Sequence, residues 1–268
     1  VSGDFSSYFI DNIGSANDKR FSEVFGIAGI NNQGVLSKNT VDIINDDPEG
    51  NPTGDKDTVS VINGGVENGN IVKSFITSDN KYVVFHDYTL ERTSNGKGKL
   101  SDKTLLELKK LDIGSWYSEE FSGEQIMTLK ELIEFFPKDS FLNIELKRDK
   151  NDKRFFGESF LEIIRPIKDR LLISSFDWEL LTYLNNLEPN ISFGILVDKY
   201  CTNFISDIKD LPFIPYSINP NFKIIDENFI NTFKEYNIIV YTVNDLEKAL
   251  YLKSLGVFGI FSNYPNIL

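Results

Sequence analysis

The fold turns on the stretch Val83–Phe121, "VVFHDYTLERTSNGKGKLSDKTLLELKKLDIGSWYSEEF". An apolar strand pattern ends there at His86, the only histidine of the chain, and Asp87 follows it. A histidine at a strand end beside a carboxylate suits acid–base chemistry. That chemistry needs a second positioned group and, with phosphate substrates, often a metal.

Downstream of Tyr82, short runs rich in β-branched and aromatic residues recur: "YVVFH", "FLNIEL", "RLLISSF", "ISFGILV", "FIPYSI", "IIVYTV" and "VFGIFS". They have the pattern of buried strands. Amphipathic helical patterns lie between them. In "TLKELIEFF", Thr128 and Glu131 predict a capping box, and Leu129, Leu132, Ile133 and Phe136 mark one helical face. "NDLEKALYLKSLG" predicts a second helix, with Asn244 as cap, Glu247 three residues on, and Gly256 as a left-handed stop. "SDKTLLELKKL" and "DWELLTYLNNL" are also amphipathic. This alternation predicts an α/β protein with a parallel sheet, either closed as a barrel or open and doubly wound. In both cases, site groups gather where strands end.

The N-terminal third is different. Residues 1–24 read as irregular. The stretch over about 45–70, within "INDDPEGNPTGDKDTVSVINGGVENGN", reads as a polar insertion or long loop. Its Asp46, Asp47, Glu49, Asp55 and Asp57 do not follow the spacing of an EF-hand calcium loop.

The chain has 268 residues and a formal charge of −12. That length suits one large α/β domain or two small ones, and that charge disfavours nucleic acid and anionic membrane as partners. No run approaches the ~18 apolar residues of a transmembrane segment. Cys201 is the single cysteine, which excludes an internal disulfide and a cysteine metal cluster. A lone cysteine fits the cytoplasm, and also a protein exported after removal of a signal.

The opening stretch resembles the glycerophosphodiester phosphodiesterase family, which carries "HD-x-x-L-x-R-T", a Gly-rich turn and "L-x-x-L-D-x-G-S-W-F". The matching residues are His86, Asp87, Leu90, Arg92, Thr93, Gly96, Leu111, Asp112, Gly114, Ser115, Trp116 and Tyr117. "TLKELIEFF" and "LNIELKR" resemble the family's helix and its Glu-x-Lys strand. "LISSFD", "INPNF", "VYTVND" and "GVFGIFSNYPNIL" resemble its later strands in order. The resemblance spans Phe75–Leu268. It implies a (β/α)8 TIM-type barrel forming a single domain over residues 1–268.

The resemblance also implies a site. Active members place His-Arg on the first strand, a Glu before Asn-Thr, and Glu-x-Asp on the second strand. The Glu-x-Asp pair joins the Glu of the Glu-x-Lys strand around a divalent cation, and two histidines act as acid and base. Here "FGIAGINNQGVLSKNT" is the match to the first strand, with Gly29 at the histidine position, Ile30 at the arginine and Lys38 at the Glu. "NIVKSFITSDN" matches the second strand, with Ile71 and Lys73 at the two metal carboxylates. By this reading, His86 is the remaining member of two histidines and Glu145 the remaining member of three metal carboxylates.

Glu145 and Lys147 alternate across Leu146, so both face one side of the strand. If Lys73 enters the metal position, its ammonium is expected to pair with Glu145 and replace the cation. His86 reads as an inherited, hydrogen-bonded strand-end histidine, or as a general acid if the site is active. Trp116, Tyr117 and Phe121 read either as an aromatic wall of the mouth or as packed core under a loop. Ser174, Ser175 and Tyr241 are pocket-edge groups by resemblance.

The expected function is a degenerate, non-catalytic family member acting as a binding or structural module. Its expected ligand is glycerol-phosphate or sugar-like, or its partner a protein assembly, with no cofactor. The alternative is an active phosphodiesterase with a rearranged site, in which Ca²⁺ or Mg²⁺ is held by Glu145 and acidic-loop residues.

Overall fold

A computed structural model describes residues 58–61, 67–117, 119–136, 141–149, 152, 154–198 and 204–262. Strand β1 is Thr58–Val61 and β2 is Glu67–Ile76. Two short strands, β3 (Tyr82–Val84) and β4 (Met127–Thr128), follow. Next come β5 (Phe141–Leu146), β6 (Leu171–Ser175), β7 (Ser192–Val197), β8 (Ser217–Pro220), β9 (Asn237–Val240) and β10 (Gly259–Ser262).

β2 and β5 through β10 pair in parallel around a ring. β1 closes the ring by pairing with both β10 and β2. The result is a β/α barrel of the TIM type. β3 and β4 form an antiparallel extension on the far half of β2.

β1 runs antiparallel to both of its neighbours. This differs from the loop expected over 45–70, since Thr58–Val61 and the start of β2 lie inside that stretch. The physical reason is local. "TVSV" carries β-branched residues at three of its four positions, and the ring leaves unpaired backbone groups on β2 and β10 that an extended segment satisfies.

Helices cover the barrel. They are α1 (Leu105–Leu108), α2 (Leu129–Phe135), α3 (Glu158–Ile164), α4 (Trp178–Leu187), α5 (Phe204–Lys209), α6 (Glu227–Thr232) and α7 (Leu246–Ser254). The Thr128–Glu131 capping box forms as expected at α2, and Thr104–Glu107 forms another at α1. The cap of α7 is Asp245, which accepts from the Lys248 backbone amide, and not Asn244. Aspartate holds its carboxylate at the helix's positive end, which favours it there. Thr128→Ala is expected to lower stability by about 1 kcal/mol. A urea titration checks this, and an unchanged midpoint would show that the box contributes nothing.

Strand parity separates two cores. Val72, Ile144, Ile173, Ile195 and Ile218 point outward and pack with helix residues such as Leu161, Leu180 and Leu184. The opposite faces point into the barrel, where Ile71, Phe141, Leu172, Ile239 and Phe261 form an apolar plug. Alongside this plug, Lys73, Asn143, Glu145, Ser174, Ser217 and Asn219 are buried polar residues on the same inward face. Gly194 faces them from β7, and a Cβ there would come within 2.8 Å of both Ser217 Oγ and Asn219 Nδ2. A third core, with Phe75, Val83, Phe85, Leu90, Leu108 and Ile113, lies under the loop that carries "DIGSW". In that loop a Cβ on Gly114 would meet the Phe121 carbonyl oxygen at 1.9 Å, which admits only glycine. Among the described residues, no helix is long and apolar enough to cross a membrane.

Candidate functional site

Three strands bring the site together. β2 presents Lys73 in its second half, the residues just after β3 present His86 and Asp87, and β5 presents Glu145 next to its last residue, Leu146, with Lys147 just beyond it. Lys73 and Glu145 are register partners. Both are inward and buried, at 7% and 5% exposure, and His86 is at 3%. Burial at this level forces each charge to find a counter-charge or hydrogen-bond partner.

The partners form one continuous row. Lys147 Nζ lies 3.8 Å from Glu145 Oε1, and Lys73 Nζ lies 3.8 Å from Glu145 Oε2. Lys73 Nζ also lies 2.6 Å from His86 Nε2. His86 Nδ1 lies 2.5 Å from Asp87 Oδ1. Arg92 grips the same carboxylate at both oxygens, with Nε donating to Oδ2 and Nη2 to Oδ1, each at 2.6 Å.

These distances assign the tautomer of His86. An ammonium carries only donors, so Nε2 must be the acceptor, and the Nδ1 proton goes to Asp87. Arg92 Nη2, 3.2 Å from Nδ1, therefore makes a contact and not a hydrogen bond to that nitrogen.

Electrostatics keep the imidazole neutral. Burial, then the Lys73 ammonium, push the His86 pKa down to about 4, against the opposing bond to Asp87. Asp87 is held well below the usual carboxylate range. Burial works against this, but the hydrogen bonds from His86 and Arg92 outweigh it. Burial, and then the carboxylates of Glu145, Asp149 and Asp177, push Tyr88 up to about 12. The ring of Tyr88 lies 5.6 Å from Lys147 Nζ and packs edge-on against Phe75.

Of the remaining sequence-predicted residues, Ser174 stands beside the row on β6. Ser174 is fully buried, and its Oγ donates to Asn143 Oδ1 at 2.9 Å. It is the register partner of Glu145 on β6. Ser175 turns the other way, donating to the Leu146 carbonyl and accepting from the Asp177 amide. Tyr241, just after β9, donates to the Val197 carbonyl and meets exposed Phe176 edge-on at 6.0 Å, so this pair lines the rim. Trp116 donates to the Ile113 carbonyl and packs against Tyr117, which in turn packs against Phe121. Ile71 is buried in the apolar plug. Gly29, Ile30, Lys38 and the acidic residues from Asp46 to Asp57 lie outside the described residues.

Sequence reading missed two members of the row as site residues, Asp87 and Arg92. Both stood in the quoted motif, and a carboxylate next to the only histidine was the available signal. It also missed the polar interior. Asn143 Nδ2, Ser217 Oγ and both amide atoms of Asn219 make no hydrogen bond among the described residues. The signal there was polar residues at inward parity in "FLNIEL" and "SINP".

A hard divalent cation requires several oxygen ligands in a defined geometry. Among the described residues of this site, the carboxylates are Glu145, flanked by two ammonium groups, and Asp87, held by His86 and Arg92. Among the described residues, no group of three or more His, Cys, Asp and Glu is placed to hold a metal. The described residues at this position do not by themselves fit a divalent ion.

Comparison with known proteins supplies the lineage. The family model for the glycerophosphoryl diester phosphodiesterase family matches residues 75–267. A glycerophosphodiester phosphodiesterase of Caldanaerobacter subterraneus is 32% identical over 198 residues, covering 72% of this chain and 81% of that one. One from Bacillus subtilis is 27% identical over 212 residues, covering 72% of each. Among solved structures, an Oleispira antarctica phosphodiesterase in complex with the product sn-glycerol-3-phosphate is 30% identical with a TM-score of 0.65. That match covers 73% of this chain and 81% of that one.

Proposed function

The chain belongs to the glycerophosphoryl diester phosphodiesterase family, and from that premise we propose that it is a non-hydrolysing member, a barrel that keeps a polar pocket without metal-dependent chemistry. One observation carries this reading: β2 brings Ile71 and Lys73 to the interior, and neither supplies a carboxylate to pair with Glu145. Isoleucine cannot ligate a cation, and an ammonium repels one. The same lysine binds His86 Nε2, so that nitrogen's lone pair is engaged and carries no proton for a leaving group.

The ligand class follows from what the interior offers. Lys147, Lys73 and Arg92 bring three cations against the two carboxylates Glu145 and Asp87, within a chain of net charge −12. That balance suits an anionic head. Asn143 Nδ2, the Ser217 hydroxyl and the Asn219 amide, which have no hydrogen-bond partner among the described residues, suit hydroxyl groups. A small glycerol-phosphate or sugar-like molecule combines both features.

The test is hydrolysis of glycerophosphocholine and glycerophosphoethanolamine with Ca²⁺, Mg²⁺ or chelator, on the native protein and on His86→Ala. The expected result is no turnover above the variant under any condition. Metal-dependent turnover that disappears in His86→Ala would sink this reading. It would direct attention to ligands among the acidic residues from Asp46 to Asp57.

A further inference from the structure

Resting on the ligand class proposed above, we propose that Ser217 and Asn219 of β8, converging over Gly194 of β7, form a hydroxyl-recognition subsite inside the barrel. These residues make the protein select a polyol end over an alkyl one.

Strand register lays out a polar line around the inner wall. Lys73 pairs with Glu145, Glu145 with Ser174, Ser174 with Gly194, and Gly194 with Ser217. The line is charged at β2 and β5 and uncharged at β7 and β8. Asn143 and Asn219 stand two residues from Glu145 and Ser217 on their strands, at the same inward parity. The two ends differ in how their polar atoms are committed. At the charged end, Lys73, Glu145, His86 and Asp87 engage one another. At the uncharged end, Ser217 Oγ and both amide atoms of Asn219 have no hydrogen-bond partner among the described residues. Asn143 Nδ2 has none either, while its Oδ1 accepts from Ser174. Asn143, Ser217 and Asn219 are each 0% exposed, so bulk water does not serve them. Buried polar groups of native proteins are otherwise almost always paired, and four such atoms on one face point to a ligand.

Gly194 supports the same placement. A Cβ there would come within 2.8 Å of both Ser217 Oγ and Asn219 Nδ2. The positive-φ glycines of the described chain are Gly98, Gly123 and Gly256, so the backbone at Gly194 does not call for glycine. The close approach of two polar side chains does. A glycine inside a strand gives up packing and entropy, and commonly marks such an approach.

The atoms define the chemistry they take. Each amide nitrogen offers two N–H groups, Asn219 Oδ1 accepts, and the Ser217 hydroxyl does both. A carboxylate or phosphate only accepts and would leave Asn219 Oδ1 without a donor. An ammonium only donates and would leave the amide nitrogens without an acceptor. An alkyl group does neither. Hydroxyl groups donate and accept, so a polyol end completes the set. Polarity then orients the ligand, with its hydroxyls toward β7 and β8 and its anion at the charged end, beside Lys147.

The experiment is calorimetric titration of the full chain with glycerol 3-phosphate and with n-propyl phosphate. The two share a phosphate and a carbon chain and differ in their hydroxyls. Both are monoesters, so neither reports on diester hydrolysis. The native protein should bind glycerol 3-phosphate roughly 10–100-fold more tightly, the effect of leaving one or two buried polar groups unpaired. Asn219→Leu should cut that ratio at least ~5-fold by weakening glycerol 3-phosphate alone. Gly194→Ala should cut it too, since the methyl displaces both side chains without removing a polar atom. If either fails to fold, Ser217→Ala, which removes one oxygen, carries the test and should cut the ratio ~3–10-fold.

Equal affinity of the native protein for the two probes would overturn the subsite, as would a ratio that survives in the variants. The reading beneath it fails differently. Turnover of glycerophosphocholine refutes the non-hydrolysing function and leaves the ratio intact, whereas binding of neither monoester refutes the ligand class and the subsite together.

Discussion

Glu145→Gln is expected to destabilise the protein by about 3–5 kcal/mol, the cost of breaking a buried pair by removing one partner. The carboxylate at 5% exposure lies between two ammonium groups, each 3.8 Å away. Glutamine preserves its shape and removes its charge. Lys73 is then left in the interior facing a neutral amide, with His86 Nε2 as a remaining acceptor. Lys147 has the easier escape, since its side chain is 14% exposed and it also meets the face of Tyr88.

Urea unfolding at neutral pH measures the loss, with the slope checked for constancy so that the midpoint shift reports stability alone. A surface pair provides the contrast. Lys130 and Glu134 are 3.9 Å apart on α2 with both side chains more than half exposed, so Glu134→Gln should change stability by no more than about 0.5 kcal/mol. Two equal effects would show that the buried row is no tighter than a surface pair. The double variant Glu145→Leu with Lys73→Met should lose less than the sum of its single changes, with a coupling of roughly 1–3 kcal/mol, because the two charges are removed together.

Strand parity put Glu145 and Lys147 on one face, whereas Lys73 was set beside Glu145 only by what the family resemblance implies. Residues two apart share a face, and register then decides which neighbours meet. The capping boxes at Thr128 and Thr104 were equally local, since both partners lie within four residues. Pairing direction was not readable. "TVSV" has a strand composition in any direction, and its antiparallel pairing with β2 and β10 emerges only in the fold. The tautomer of His86 was also beyond the sequence. It depends on Lys73 arriving from a strand that is 13 residues distant in the chain. Periodicity left open a closed barrel or an open sheet; the family resemblance, and then the closed ring of pairings, chose the barrel. The cap of α7 shows the limit of local motifs. Asn244 and Asp245 are adjacent cap formers, and one residue of register separates them.

Acid should weaken the fold in a window that belongs to His86. In the folded state its pKa is pushed down to about 4, by burial and by the ammonium of Lys73, with Lys147 adding to the effect and Asp87 opposing it. In the unfolded chain an imidazole titrates near ~6.5. Between these two values the unfolded chain binds a proton that the folded chain refuses, so stability rises with pH and falls on acidification. Above roughly pH 7.5 the imidazole is neutral in both states and contributes no pH dependence. On descending to pH 4 the accumulated loss is about 3 kcal/mol, at ~1.4 kcal/mol per pH unit. Asp87 acts in a lower window. Its folded value lies below that of the unfolded chain, so its contribution is present above ~pH 4 and is lost only on further acidification. The two effects share a sign and separate in pH. His86 is the only histidine of the chain, so no other side chain of ordinary pKa titrates between ~pH 5 and 8. Urea midpoints at intervals from pH 7.5 to 4.5 should therefore fall steadily in the native protein, and much less in His86→Asn. Proton NMR of the single imidazole gives the direct check. A midpoint near ~6.5 in the folded protein would mean that the ring is not held neutral between Lys73 and Asp87, and that the row of charges does not exist in solution as described.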